Sequence, residues 1–191
     1  MPLPLKVARE VVTLDLLSHG RVTFGVGIAG DASRELTGTG EEPDAKVRGA
    51  MLDEGLAVLE TAWAPGPTSH HGPHYTVDDL MTGPRPAQDP RPPIWVAVRQ
   101  GNQAPLRRAA RYEGVFPVDL AGADELAAIV AGVQELRDPT AGPFDVAAMI
   151  DAGDDVNAWE AAGTTWLLTK FSHLDTSTDQ IRSVVTRGPP I

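Results

Sequence analysis

The sequence predicts an α/β fold made of parallel βαβ units. From residue 94 onward, short apolar runs rich in β-branched residues alternate with longer stretches whose apolar residues recur at helical spacing. That alternation is the pattern of parallel strands joined by crossover helices. In addition, 19 glycines and 17 prolines in 191 residues supply more turns than a helical bundle uses. Hydrophobic residues at 42% and charged residues at 22% support one domain with its own core.

Taken in order, residues 4–18 read as a helix. Val7, Val11 and Leu14 share a face, Pro4 suits the first turn and Gly20 suits the C-terminal cap. Residues 21–28 read as a buried strand ending in glycines. A polar loop over about 29–44 precedes the clearest helix, 46–62, striped by Leu52, Leu56, Leu59 and Trp63. Residues 65–93 are rich in proline and show no period. They read as an irregular insertion or lid, too long for an ordinary connection.

After that the period is regular. Strands are expected at 94–98, 114–118, 144–150 and 164–171. Helices are expected at 103–112, 123–137 (Leu126, Ile129, Val130 and Val133 inward) and 154–162. Ser177 and Gln180 have capping-box spacing and open a last helix through Thr186. Five strands are thus expected. Periodicity alone leaves an open sheet and an incomplete barrel as alternatives, because a closed barrel has eight strands and about 250 residues.

Composition excludes several classes of function. A net charge of −10 opposes binding to nucleic-acid backbones or anionic membranes. Without cysteine there is no disulfide, thiolate nucleophile or cysteine-ligated zinc. No apolar run approaches a membrane span, and the first residues do not read as a secretion signal, so a cytoplasmic protein is expected.

Gly25, Gly27 and Gly30 match the spacing of a dinucleotide-binding loop and follow a strand. That motif requires a helix opening at the third glycine. Here the sequel is polar and broken by Gly38 and Gly40, so the reading is a glycine-rich strand end where a loop or ligand approaches the backbone.

An ordered series of residues carries a resemblance. It starts with Pro4, Val7-Ala8-Arg9-Glu10, Leu14-Asp15, Leu17-Ser18 and Gly20-Arg21, and runs into Phe24-Gly25-Val26-Gly27. It continues through Glu35, Gly40, Arg48, Leu52-Asp53-Glu54, Trp63 and Gly72-Pro73-His74-Tyr75. It then passes Pro84, Pro86, Gln88, Pro90 and Pro92 to Ala97, with Gly114 and Gly188-Pro189-Pro190 also fitting. The chain resembles the luciferase-like monooxygenases, which are flavin- or F420-dependent oxidoreductases. The resemblance implies an incomplete TIM (β/α)8 barrel of about five parallel strands with helices. The first helix here would be the third of the family fold, and the first three family strands would be absent.

The resemblance further implies FMN or F420 as cofactor and a small-molecule substrate. In the family the flavin phosphate sits near the loop after the fifth strand, which here is Arg99-Gln100-Gly101-Asn102-Gln103. The cofactor-binding candidates are therefore Gly25, Gly27, Arg99, Gln100, Gly101 and Asn102. A fork-shaped arginine and the N–H groups at a helix start both favour anions; a solvent-facing arginine beside a helix cap is the structural alternative. No catalytic residue is assigned.

Other residues have structural readings. Glu35 with Arg48, and Asp15 with Arg21, read as ion pairs. His70, His71 and His74 are dense, but no helix presents them and the family uses no metal; His74-Tyr75 reads as an anchor of the insertion or a pocket wall. Asp119, Asp151 and Lys170 fall near strand ends, where barrel chemistry lies, although the two aspartates also suit helix caps. Trp95 and Trp166 read as core. An incomplete barrel leaves sheet edges and an apolar face, so a homodimer or a complementing chain is expected, with no nucleic acid and no membrane as partners. The alternative function is a non-catalytic interaction or assembly protein of this descent that has lost the flavin site.

Overall fold

A computed structural model of the chain describes residues 3–151, 153–171 and 176–188. Of the quoted motifs, only Pro189-Pro190 lies outside the described residues. The chain groups into two compact units, Met1–Ile94 and Trp95–Ile191.

The first unit opens with α1 (Pro4–Leu17), which has proline in its first turn as expected. Its buried stripe is Ala8, Val11, Val12 and Asp15, whereas Val7 is half-buried and Leu14 exposed. The face is thus rotated from the one the apolar spacing marks, because a carboxylate occupies one of its inward positions. Strand β1 (Phe24–Val26) is shorter than expected, and only Val26 of its residues is buried. Its Phe24 N–H donates to the Pro93 carbonyl at 2.8 Å. After a loop with one 3-10 turn comes α2 (Ala45–Trp63), capped by the Asp44 carboxylate on the Lys46 and Val47 N–H groups. Leu52, Leu56, Leu59 and Trp63 are all buried. Trp63 donates its indole N–H to the Ala8 carbonyl at 3.2 Å and meets Phe24 edge-on.

The stretch expected to be irregular, 65–93, contains an antiparallel hairpin. It consists of β2 (Pro67–His71) and β3 (Thr76–Met81), joined through Gly72-Pro73-His74-Tyr75. Strands of five and six residues with one bulge are too short to show a period. Pro67 stands at a strand start, where a missing N–H breaks no ladder.

The second unit carries four parallel strands in sequence order: β4 (Ile94–Val98), β5 (Gly114–Pro117), β6 (Asp145–Asp151) and β7 (Trp166–Lys170). Between them run α3 (Gln103–Ala109), α4 (Ala123–Leu136) and α5 (Val156–Ala161), and α6 (Thr178–Arg187) follows with the expected Ser177–Gln180 capping box. Val96, Val115, Val146 and Ile150 are buried on one side of the sheet, as are Leu126, Ile129 and Val133 on α4.

The other side is not closed. Trp166 is 52% exposed and Leu168 39%, which corrects the expectation that Trp166 is core. Both indole N–H groups, of Trp95 and Trp166, donate to the Asp145 carboxylate at 3.2 Å, with ring centroids 5.7 Å apart. Trp95 reaches that carboxylate by crossing Gly114, where a Cβ would stand 2.6 Å from Trp95 Nε1 and 2.9 Å from the Asp145 carbonyl oxygen. Asp119 and Asp151 are not caps, since Gly122 and Asp155 hold those positions.

Candidate functional site

In the first unit the polar residues of the quoted motifs meet mostly backbone groups. Asp15 is fully buried and accepts from the Ala87 N–H at 2.8 Å, the Gln88 N–H at 3.1 Å and the Gln88 side-chain amide at 2.7 Å. Gln88 also donates to the Val22 carbonyl. The expected Asp15–Arg21 pair is not formed among the described residues; Arg21 Nε donates to the Ser18 carbonyl.

Arg48 likewise does not pair with Glu35. Its guanidinium donates to the carbonyls of Ile28, Glu42 and Pro43 at 3.0, 2.9 and 2.6 Å. A buried charge needs several partners held in place, and backbone carbonyls of a folded loop supply them without the mobility of a surface glutamate. Asp31 orders the same loop by accepting from the Leu36 and Thr37 N–H groups. Its carboxyl is held below the ordinary range, mainly by the bond with Thr37 and with help from Leu36 and the Arg48 charge.

These contacts frame a largely apolar cavity of about 550 Å³. Its walls include Gly25, Gly27 and Ile28 from the end of β1, Met51, Leu52 and Leu56 from α2, and Tyr75 from the hairpin turn. Gly25 offers a bare surface, since a Cβ built there meets no atom within 4 Å. Two of the six cofactor-binding candidates, Gly25 and Gly27, thus line a cavity large enough for a small organic ligand.

Glu54 is the residue of this region that sequence reasoning missed. It accepts from the Tyr75 N–H at 2.7 Å and the His74 N–H at 3.0 Å, and His70 Nε2 lies 3.0 Å from it. Burial raises its pKa, but the Tyr75 N–H, the His70 ring and the His74 N–H outweigh burial, so the carboxyl stays below its ordinary value. Tyr75 is shifted upward by burial and by the Glu54 charge. Of the histidines, His70 faces Glu54 and His71 lies 3.9 Å from Asp78. The sequence signal for Glu54 was its place in the quoted Leu52-Asp53-Glu54 run, with no indication that it meets Gly72-Pro73-His74-Tyr75.

The second unit holds the other four candidates. Arg99, Gln100, Gly101 and Asn102 form the exposed connection from β4 to α3, with Gly101 at a φ of +80°. Arg99 Nη2 reaches Asp119 Oδ2, beyond the end of β5, at 2.5 Å. Asp151 and Lys170, at the ends of β6 and β7, pair at 3.1 Å. The four charged residues thus sit at C-terminal strand ends, where barrel enzymes keep their chemistry, and they are tied in two exposed pairs.

The chain is similar to known proteins. The F420-dependent glucose-6-phosphate dehydrogenase of Segniliparus rotundus is 27% identical over 186 residues, covering 95% of this chain and 53% of that protein. The F420-dependent hydroxymycolic acid dehydrogenase of Mycobacterium tuberculosis is 31% identical over 83% of this chain and 44% of its own length. The oxygenase component of the flavin-dependent trigonelline monooxygenase of Acinetobacter baylyi is 33% identical over 99 residues, 52% of this chain and 27% of that one. The chain spans about half the length of the curated relatives it matches along most of its sequence, and less of the others.

Among solved structures, the coenzyme F420 dependent tetrahydromethanopterin reductase of Methanopyrus kandleri superposes with a TM-score of 0.64 at 22% identity. The match covers 85% of this chain and 51% of that one. It shows the fold: five parallel strands with their helices, an arc of a TIM (β/α)8 barrel. The model of one family, luciferase-like monooxygenase, matches residues 2–183. Because that match runs through both units and all but the last of the motifs, the chain belongs to the luciferase-like monooxygenase family.

Proposed function

We propose that the chain is part of an oxidoreductase of the luciferase-like class, working with reduced FMN or F420 on a small organic substrate. One observation carries the reading: the largely apolar cavity at the end of β1, lined by Gly25 and Gly27, in a chain whose relatives are named for flavin or F420 chemistry. The residues fit such a group. Within the first unit Gly25 leaves its strand surface open to a planar ring, and within the second the β4–α3 connection offers Arg99, Gln100, Gly101 and Asn102 to an anionic group. The cofactor supplies the hydride or activates oxygen when bound.

The chain's own part is to bind and orient. Gly25 and Gly27 bring backbone to the ligand without a side chain between. Arg99, now held by Asp119, exchanges one exposed carboxylate for a phosphate; exposed pairs of this kind are worth only about 0–1 kcal/mol, so the exchange costs little. The apolar wall of Met51, Leu52 and Leu56 excludes water. Each relative named above is named for catalysis, which favours this reading over an assembly role. Visible absorbance and fluorescence titrations with FMN and with F420 test it. Saturable binding of one of them is expected, and a folded sample that binds neither overturns it.

The chain is further proposed to associate, with a second copy or with a complementing chain. Trp166, Leu168 and Met149 stand exposed on one face of the second unit, and β7 pairs only with β6 among the described residues. An unpaired strand beside apolar surface invites another chain. Analytical ultracentrifugation at micromolar concentration should show a species larger than 20.2 kDa, and a well-folded monomer counts against association.

A further inference from the structure

We propose that Glu54 is a positioning residue that clasps the hairpin turn and thereby holds Tyr75 as a gate on the first unit's cavity. Three observations carry this. First, the Glu54 carboxylate collects both consecutive backbone N–H groups of the turn, His74 and Tyr75, with the His70 ring beside them, so that one side chain of α2 holds the tip of the β2–β3 hairpin. Second, the site is built to admit that carboxylate. A Cβ at Gly72 would overlap Glu54 Oε1 and stand 2.7 Å from His70 Nε2, so any side chain there displaces the clasp. Third, the clasped residue is a cavity wall. Tyr75 lines the cavity, and its ring lies against the bare helix surface at Gly55, where Cε2 would be 3.7 Å from a Cβ.

Within the turn the Gly72 N–H donates to the Tyr75 carbonyl at 3.0 Å, which closes the loop. When Glu54 loses its negative charge, the charge-assisted bonds to the two amides weaken to ordinary ones. The turn then parts from α2 and Tyr75 leaves the wall. The groups facing Glu54 are His70 from β2 and His74 and Tyr75 from the turn. Because the carboxyl is held below its ordinary value, the clasp is closed at neutral pH and opens as pH falls through that lowered value.

The proposal deepens the ligand-binding reading of the cavity, but its test needs no cofactor. Amide hydrogen exchange of His74 and Tyr75 is followed in the full chain from neutral pH to about pH 2.5, well below the ordinary carboxylate range, together with uptake of the neutral fluorophore Nile red. Exchange is compared after correction for its intrinsic pH dependence. In the unaltered chain, protection at these two amides should fall in acid while the rest of α2 stays protected, with faster dye uptake. Glu54→Gln should lose about tenfold or more of that protection at every pH and flatten the profile. Gly72→Ala, which leaves the charge intact but displaces the carboxylate, should lose protection at the same two amides.

Native protection at both amides in the two variants overturns the proposal. So does a loss spread evenly over the chain, which marks a merely structural role. If Glu54→Gln does not fold, Gly72→Ala and the acid profile of the unaltered chain decide alone. Failure to bind FMN or F420 defeats the proposed function and leaves the clasp standing; unchanged exchange defeats the clasp and leaves the function standing.

Discussion

Two sets of charges, one from each unit, are held in opposite ways. In the first, Asp15, Arg48 and Glu54 turn inward and are satisfied largely by backbone groups of irregular segments. In the second, Arg99–Asp119 and Lys170–Asp151 pair side chain to side chain in solvent, at strand ends. The difference teaches where a charge works structurally. A buried carboxylate or guanidinium that collects amides or carbonyls fixes a loop that has no ladder of its own. An exposed pair fixes little and stays available for exchange with a ligand.

The largest effect is expected at Asp15. Asp15→Ala removes the fully buried carboxylate that holds the Ala87 N–H, the Gln88 N–H and one hydrogen of the Gln88 amide, at about 1–3 kcal/mol per buried group left unpaired. Urea unfolding should show a loss of about 3 kcal/mol or more, and a loss under 1 kcal/mol breaks the comparison. Next comes Gly114→Ala, because the added methyl meets the Trp95 ring and the Asp145 carbonyl. A cost of about 1–3 kcal/mol is expected, with loss of the near-ultraviolet signal of the Trp95–Trp166 pair.

Acid should act more gently and chiefly on groups bonded to backbone amides. Asp31, Asp44, Glu54 and Asp138 all have carboxyls held below their ordinary values. Their contribution is complete above the ordinary carboxylate range, about pH 4, and is lost as pH falls through the lowered values. Thermal melts should therefore be flat from neutrality to about pH 5 and decline below about pH 4; a decline beginning near neutrality points to other groups. The smallest effect belongs to the second unit's exposed pairs. Lys170→Ala should change stability by less than about 1 kcal/mol, and a larger shift by calorimetry means that the strand-end charges are structural after all.

Much of the second unit was legible in sequence because its signals are local and periodic. Strand β4 has its expected bounds, and the Ser177–Gln180 box opens its helix where the spacing placed it. The first unit was harder to read. The hairpin at 67–81 was hidden by proline and glycine, and the α1 stripe was misplaced because its inward face includes a carboxylate. Pairing Glu35 with Arg48 and Asp15 with Arg21 failed for one reason: opposite charge is visible in sequence, whereas the backbone group that arrives from a distant loop is not. Of the cavity lining, Gly25 and Gly27 were singled out as a glycine-rich strand end, while Glu54, beside the cavity wall at Tyr75, was not.

The sequence by itself determined the alternation of strand and helix in the second unit, the Ser177–Gln180 capping box and the family likeness, since these depend on the chemistry of neighbours a few residues apart. Only the tertiary structure decided that Asp15 meets Gln88 and that Glu54 meets Tyr75. Those contacts join residues 73 and 21 positions apart. The physical reason is that a buried polar group takes whichever partner the packed chain delivers, and no local rule of spacing names that partner in advance.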